Sequence, residues 1–277
     1  MKLAIVYTRA SLGIQAPLVT VEAHISGGLP AFTIVGLPET AVKESKDRVR
    51  SAILNSQFDF PSRRITINLG PADLPKEGGR FDLPIALGIL AASQQIPSDC
   101  LNEYEFAGEL ALSGELRSIQ GALPVALGAR KAERILVLPI MNATEAALPG
   151  DNTIYAANTL LEITEHLCRR KQLHPFKQAL PSSTDSDRTE YDLCDVRGQM
   201  HAKRALEIAA AGGHSLLMIG PPGTGKTMLA SRLPGILPSL TLEETLEVIA
   251  IHSLIPNSEP ALQWGRRPFR APHHTAS

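Results

Sequence analysis

One octapeptide restricts the fold of this chain more than any other segment. Residues 220–227 read Gly-Pro-Pro-Gly-Thr-Gly-Lys-Thr, and the short apolar run 215–219 precedes them. Glycines allow tight turns in which several backbone N–H groups point into one concavity. A strand, a glycine loop and a following helix form a recurrent unit of α/β proteins. We therefore expect a buried strand over 215–219 and a helix from about Gly225 to Leu233, ended by Pro234.

The same octapeptide fits the P-loop pattern G-x-x-x-x-G-K-[ST], in which backbone N–H groups hold nucleotide phosphates. Lys226 is expected to contact the β- and γ-phosphates of ATP, and the Thr227 hydroxyl is expected to ligate the Mg²⁺ that bridges them. The predicted cofactors are thus ATP and Mg²⁺, with Thr227 as the metal contact. The predicted nucleotide-binding residues of the loop are Gly220, Pro221, Pro222, Gly223, Thr224, Gly225, Lys226 and Thr227.

Hydrolysis of ATP needs groups that the loop does not supply. A second strand must carry an acidic residue for Mg²⁺, and another residue must orient the attacking water. No acidic residue after Thr227 follows an apolar strand; these residues are Glu243, Glu244, Glu247 and Glu259. No catalytic set is complete, and Lys226 is assigned only a phosphate contact. We expect a chain that is deficient in hydrolysis.

Composition restricts the partners and the compartment. The formal net charge is -1, so no global basic field attracts nucleic acid, and DNA contacts would come from local loops or from ring assembly. The three cysteines, Cys100, Cys168 and Cys194, lie far apart and fit reduced thiols. The longest apolar stretch, residues 83–92, is too short to span a membrane. We expect a soluble, cytoplasmic protein without a membrane partner.

Two domains and a linker are expected. Residues 1–170 alternate strand-like and helix-like patterns and predict a compact α/β domain of mixed strand order, with Gly27 and Gly28 in a hairpin turn between strands at 18–24 and 31–35. Residues 171–190 lose this periodicity, and their prolines, serines and aspartates are typical of a linker. Residues 191–277 form the second domain. It contains a capping box, Thr-Leu-Glu-Glu, at 241–244 that predicts a helix start.

Several motifs accompany the P-loop and together are more specific than the loop itself. In the second domain these are Asp-Val-Arg-Gly-Gln at 195–199, Ala-Lys-Arg-Ala-Leu at 202–206 and Phe-Arg-Ala-Pro-His-His-Thr at 269–275. The first domain adds Gly-Leu-Pro at 36–38 and Asn-Leu-Gly-Pro-Ala-Asp at 68–73. Over its whole length the chain resembles the YifB/ComM family of magnesium-chelatase-like AAA+ ATPases.

The resemblance implies a fold, an assembly and a role. The first domain is expected to be a Lon-protease-like domain, similar to domain 2 of ribosomal protein S5, and the second a partial P-loop AAA+ domain. Family members form hexameric rings, and ComM members are ATP-driven motors that aid branch migration of DNA in recombination and natural transformation. Val196 and Gly198 would lie near the adenine. Because Ser277 precedes any Walker B strand or arginine finger, a truncated product or fragment is expected.

The resemblance to Lon does not extend to a peptidase site. Lon proteases use a Ser–Lys dyad, in which an amine activates the serine. Arg80 stands where the serine is expected, and Leu123 stands where the lysine is expected. Neither nucleophile nor base is present, so we expect an inactive protease domain that serves assembly or substrate contact.

Other readings of the chain stay open. A motor subunit of a metal chelatase is one alternative, although such subunits are expected to resemble only the AAA+ part. A non-enzymatic assembly or adaptor fragment is another. A basic–aromatic cluster could bind single-stranded DNA or dock onto the rest of the domain; it comprises Trp264, Arg266, Arg267, Phe269 and Arg270. The adjacent His273 and His274 lack the spacing of a metal site.

Overall fold

A computed structural model of the chain describes residues 2–177, 191–255, 264–265 and 267–272. The chain divides into two compact units. The first comprises Met1–Leu180 with Ala250–Ala261, and the second comprises Pro181–Ile249 with Leu262–Ser277. Each unit has its own buried apolar cluster. The predicted linker lies mostly outside the described residues. Its residues 171–177 include Phe176, whose N–H donates to the Ile154 carbonyl.

The first unit is built on a mixed sheet. Its strands are β1 (Lys2–Arg9), β2 (Leu18–Ser26), β3 (Ala31–Val35), β4 (Arg64–Gly70), β5 (Tyr104–Phe106), β6 (Glu109–Leu110), β7 (Leu116–Arg117), β8 (Ile135–Pro139) and β9 (Ile154–Ala157). Seven of them form one sheet in the order β3-β4-β2-β1-β5-β8-β9, and β6 pairs with β7 in a separate ribbon. The mixed strand order predicted from the sequence is confirmed, because β2 is antiparallel to both β1 and β4, whereas β3–β4, β1–β5, β5–β8 and β8–β9 are parallel.

Helices pack against this sheet, on one face at β2 and on both faces at β8, where the consecutive residues 136–139 are buried. Among the described residues the α-helices are α1 (Thr40–Asn55), α2 (Asp82–Ala92), α3 (Ala122–Lys131), α4 (Ile140–Ala146), α5 (Leu160–Leu167), α6 (Met200–Gly212), α7 (Lys226–Ala230), α8 (Leu233–Ile236) and α9 (Leu242–His252). Strand β2 buries every second residue, which is the pattern of a sheet with one covered face. Helix α2 is apolar around its circumference and is buried along its whole length against β1 and β2.

A hairpin between the second and third strands was expected at Gly27 and Gly28, and this prediction is wrong. Strand β3 pairs with β4 in parallel, and β4 lies between β3 and β2. Helix α1 connects β3 to β4, and a helical crossover joins parallel neighbours. Because β2 already pairs with β1 on one edge and β4 on the other, β3 takes the outer edge of β4.

The second unit is helical within the described residues. Helix α6 ends at Gly212, and Gly213 follows it in the left-handed conformation of a helix stop. The capping box is confirmed, because the Thr241 hydroxyl accepts from the Glu244 N–H at 3.2 Å and the Glu244 carboxylate accepts from the Thr241 N–H at 2.8 Å. A small apolar cluster joins Leu193, Val196, Leu206 and Leu229.

The structure corrects two predictions in this unit. Residues 215–219 form no strand, and Ile219 is 89% exposed. A strand needs a neighbour for its N–H and C=O groups, and the described residues of this unit contain no other strand. The helix expected from Gly225 to Leu233 is also shorter: α7 ends at Ala230, and Pro234 lies inside the next helix, α8, instead of terminating one. Proline is tolerated there because the first turn of a helix leaves its N–H groups unpaired.

Candidate nucleotide-binding site

A cavity of about 500 Å³ lies between the glycine loop and the start of α6. Its volume is in the range of small-molecule sites, which is roughly 300–1,000 Å³. Four predicted loop residues are in its wall: Gly220, Pro221, Thr224 and Lys226. The rest of the wall comprises Gln199, His201, Ala202, Ala205, Leu216, Leu217, Met218, Ile219 and Leu229. The cavity therefore has a polar end at the loop and an apolar wall beside it.

The loop turns on its glycines. Gly223 and Gly225 both have φ of +82°, a conformation that residues with a side chain rarely adopt. Gly225 caps α7, and its carbonyl accepts the Leu229 N–H at 2.9 Å. The Thr224 hydroxyl donates to the Pro221 carbonyl at 2.9 Å, which closes the loop on itself. The glycines at these two positions are thus required by the backbone path.

Lys226 is held inside the loop. Its Nζ donates to the carbonyl oxygens of Gly220 and Pro221, both at 2.8 Å, and lies 3.4 Å from the Thr224 hydroxyl. The ammonium group therefore has three oxygen atoms of the loop as neighbours. Phosphate oxygens are stronger acceptors for an ammonium than carbonyl oxygens are, because the hydrogen bond is then charged on both sides.

The remaining predicted site residues do not line this cavity. Thr227, the predicted Mg²⁺ contact, is exposed on the first turn of α7. Pro222 is exposed at the tip of the loop. Val196 is 1% exposed and packs in the apolar cluster with Leu229, whereas Gly198 is exposed with φ of +70°. Val196 thus supports the helix behind the loop.

Two residues of the cavity wall were not singled out from the sequence. The Gln199 side chain donates to the Thr224 carbonyl at 3.5 Å, and Gln199 and His201 at the start of α6 both lie in the cavity wall. Gln199 lies in the motif at 195–199, and its left-handed φ of +52° marks the point where that motif meets the loop. Gln199 reaches the cavity through a contact between separate segments, which no local signal in the sequence reports.

Other candidate residues have structural contacts. Arg267 donates to the Pro238 carbonyl at 2.5 Å and lies 3.9 Å from the Glu244 carboxylate, so this member of the basic–aromatic cluster is engaged within the unit. Phe269 and Arg270 are exposed. Arg266, His273 and His274 lie outside the described residues. Across the described ranges, no three His, Cys, Asp or Glu side chains gather as a metal site.

The positions expected for a Ser–Lys dyad are occupied by buried structural residues. Arg80 is 7% exposed and donates to the Gln120 carbonyl at 2.9 Å. Leu123 is fully buried, and its N–H donates to the Glu145 carboxylate at 2.8 Å. Burial lowers the pKa of Arg80 and raises the pKa of Glu145. The absence of a peptidase activity stays a prediction.

Both units match magnesium-chelatase family models. Residues 21–142 match the model described as "Subunit ChlI of Mg-chelatase", and residues 192–277 match "Magnesium chelatase, subunit ChlI". Similarity to chelatase subunits is therefore not confined to the second unit, contrary to the expectation from the sequence. Within the described ranges, every helix is too short or too polar to traverse a lipid bilayer.

Curated relatives match the chain from end to end. It is 55% identical to the competence protein ComM of Haemophilus influenzae, 53% identical to the uncharacterized protein YifB of Escherichia coli and 40% identical to the uncharacterized protein Rv2897c of Mycobacterium tuberculosis. Each match covers 100% of this chain and 54–55% of the relative, so the chain spans about half the length of these relatives.

A shorter match concerns the protease resemblance. Over 51 residues, or 18% of the chain, the sequence is 45% identical to the archaeal Lon protease of Archaeoglobus fulgidus, of which the match covers 8%. The Lon-like assignment of the first unit stays a prediction. With two magnesium-chelatase models matched and 53–55% identity along the whole chain to ComM and YifB, the chain belongs to the YifB/ComM family of magnesium-chelatase-like proteins.

Proposed function

We propose that the loop at residues 220–227 binds ATP with Mg²⁺. The observation that carries this proposal is the position of the Lys226 ammonium, which the Gly220 and Pro221 carbonyls hold at the polar end of a nucleotide-sized cavity. The family models for magnesium-chelatase subunits support nucleotide and Mg²⁺ use.

Each part of the loop has a role in this proposal. The loop N–H groups donate to phosphate oxygens, and Lys226 exchanges its carbonyl acceptors for the β- and γ-phosphates. The Thr227 hydroxyl, exposed at the start of α7, supplies a protein ligand to Mg²⁺, whose other ligands are phosphate oxygens and water. The apolar wall receives the base and ribose. Because no acidic side chain is in the cavity wall, we expect residues 1–277 to bind ATP without efficient turnover.

The role of the whole protein is a further proposal. We propose an ATP-driven DNA motor of recombination that works as a hexameric ring, because the entire chain is 55% identical to a competence protein. In this proposal the first unit is a protease-inactive Lon-like domain for assembly. A metal-chelatase motor is the second candidate, since both units match chelatase subunit models.

A binding experiment tests the nucleotide site. Residues 1–277 would be titrated with a fluorescent ATP analogue in the presence of Mg²⁺, as the unaltered protein and as Lys226→Ala. We expect the variant to bind at least about tenfold more weakly, because a charged partner of the phosphates is lost. Arg204→Ala is the matched control, since Arg204 is an exposed cation of α6 paired with Glu207. Equal affinity of the unaltered protein and Lys226→Ala would contradict the proposal.

A second experiment separates the candidate roles. The full-length protein would be assayed for ATP-dependent branch migration of a four-way DNA junction, with Lys226→Ala as the inactive control. We expect strand movement only with ATP and only in the unaltered protein. No movement above the ATP-free reaction, together with stimulation of Mg²⁺ insertion into a porphyrin, would favour the chelatase role. If neither the unaltered protein nor Lys226→Ala binds nucleotide, the result would favour the adaptor role.

A further inference from the structure

The segment before α6 is folded around the side chain of Arg232. Leu193–Asp195 forms a short 3₁₀ turn, in which the Asp192 side chain accepts from the Cys194 N–H at 2.8 Å. The Asp195 carboxylate closes this turn by accepting from the Asp192 N–H at 3.1 Å. The same carboxylate oxygen, Oδ2, lies 3.7 Å from the Arg232 guanidinium. One carboxylate thus shapes the segment and attaches it to Arg232.

Arg232 is fixed from three sides. The guanidinium lies 5.2 Å from the centre of the Tyr191 ring, close enough for a cation–π interaction. Its Nη1 donates to the Met228 carbonyl at 2.9 Å, which anchors it to the helix that follows the glycine loop. The side chain is only 12% exposed, and its Nε is buried without a hydrogen-bond partner among the described residues. The charge of Arg232 is therefore poorly solvated and depends on Asp195.

Residues 195–199 connect the Asp195–Arg232 pair to the cavity wall. Val196 follows Asp195 and packs with Leu229 of α7 in the apolar cluster. Gln199 then donates to the Thr224 carbonyl and stands in the cavity wall. The segment 191–199 is consequently attached to the loop and its helix at three points along its length. The wall formed by the start of α6 can keep its distance from the loop only while this segment stays in place.

We propose that Asp195 and Arg232 are positioning residues for the nucleoside side of the nucleotide site. This inference rests on the proposed function of the loop. Phosphates occupy the polar end at Gly220 and Lys226, so base and ribose lie against the rest of the cavity wall, which includes Gln199 and His201 at the start of α6. Loss of the Asp195–Arg232 pair moves that wall and leaves the loop itself unchanged. The pair thus controls how well the site holds a nucleoside and has little effect on how it holds phosphate.

The test compares ATP with inorganic tripolyphosphate, which lacks a nucleoside. The dissociation constants of both ligands would be measured with Mg²⁺ for residues 1–277 and for Asp195→Asn, which keeps an acceptor for the Asp192 N–H but loses the charge. We expect ATP to bind about threefold to fivefold more weakly, since a partly exposed ion pair makes a modest contribution. Tripolyphosphate is expected to bind within about twofold of the unaltered protein.

Three further variants test whether the effect belongs to the Asp195–Arg232 pair. Arg232→Ala is expected to weaken ATP binding about tenfold or more, because the Tyr191 and Met228 contacts are lost as well. Asp195→Glu restores the charge and is expected to recover most of the ATP affinity. Arg204→Ala removes the exposed pair with Glu207 on α6 and is expected to change neither constant. Helical content by circular dichroism identifies any variant that fails to fold.

Three outcomes overturn the inference. Equal losses of ATP and tripolyphosphate affinity in Asp195→Asn would mean that the pair only supports the general fold. Unchanged ATP affinity in both Asp195→Asn and Arg232→Ala would show that the pair does not position the wall. If the unaltered protein binds neither ligand, the proposed function itself fails, and that result is distinct from the other two.

Discussion

Gly36 lies at a position where any side chain would overlap a neighbouring strand. It follows β3 with φ of +99°, and a Cβ at this position would overlap the Leu69 carbonyl of β4. Gly36→Ala is therefore both strained and sterically blocked. We expect it to lower the free energy of unfolding by roughly 2–4 kcal/mol, measured by urea denaturation.

Gly27 is the matched control for this variant. It lies in the exposed connection after β2, its φ is not left-handed, and a Cβ there would meet nothing within 4 Å. Gly27→Ala is expected to change the free energy of unfolding by less than about 0.5 kcal/mol. Similar losses in the two variants would contradict the assignment of the Gly36 effect to the Leu69 contact.

Asp82 gives the first unit a pH dependence. This carboxylate at the start of α2 accepts from Arg48 Nε at 2.7 Å, and burial raises its pKa to about 6 from 3.8, with Arg48 opposing the shift. Between about pH 4 and 6 the native state therefore binds more protons here than the unfolded state does. The contribution of this site to the free energy of unfolding is expected to fall as pH rises through this window, by about 3 kcal/mol.

Urea denaturation at several pH values checks this expectation. Asp82→Asn cannot ionise, so the stability of the unaltered protein relative to Asp82→Asn should decrease between pH 4 and pH 7. Asp59→Asn serves as a control, because Asp59 is exposed in the connection after α1. A pH-independent difference between the unaltered protein and Asp82→Asn would exclude this role for burial.

At the scale of elements, the sequence predicted local structure well and strand neighbours poorly. The start of α9 follows from the nearby capping box, and the structure contains it. The pairing of β3 with β4 depends on strands far apart in the chain, which a turn signal at Gly27 cannot report. The helical pattern of α1 between two strands carried the better information, since it predicts a parallel crossover.

In the candidate site, too, the sequence predicted local structure better than contacts between distant segments. The octapeptide identified the loop and Lys226 because its conformational requirements are local. Whether residues 215–219 form a strand depends on a neighbour that local sequence does not specify, and these residues are unpaired in the described structure. Gln199, Asp195 and Arg232 became candidates only from contacts between separate segments.

The capping box at the start of α9 is testable as an element. Thr241→Ala removes the acceptor for the Glu244 N–H and is expected to destabilise the helix by about 1 kcal/mol. Amide hydrogen exchange in the first turns of α9 should then become about fivefold faster. Thr241→Ser keeps the hydroxyl and should leave exchange nearly unchanged. Equal exchange rates in all three proteins would show that the cap does not limit fraying of this helix.

At the scale of the whole molecule, the two units are expected to respond differently to nucleotide. The larger apolar clusters belong to the first unit, whereas the cluster of Leu193, Val196, Leu206 and Leu229 supports the second. Units with separate apolar cores are expected to unfold in separate steps. We therefore expect calorimetry of residues 1–277 to show two transitions, of which the second unit gives the one at lower temperature.

MgATP should raise only that lower transition. A ligand that binds the native state alone stabilises it by about 2.7 kcal/mol at a hundredfold excess over its dissociation constant. For a unit of this size the shift is on the order of 10 °C. At the same ATP concentration Lys226→Ala should reduce the shift by about half or more, and Gly36→Ala should lower the other transition while leaving the ATP response intact. A nucleotide-dependent shift of both transitions by the same amount would instead mean that the units unfold as one cooperative body.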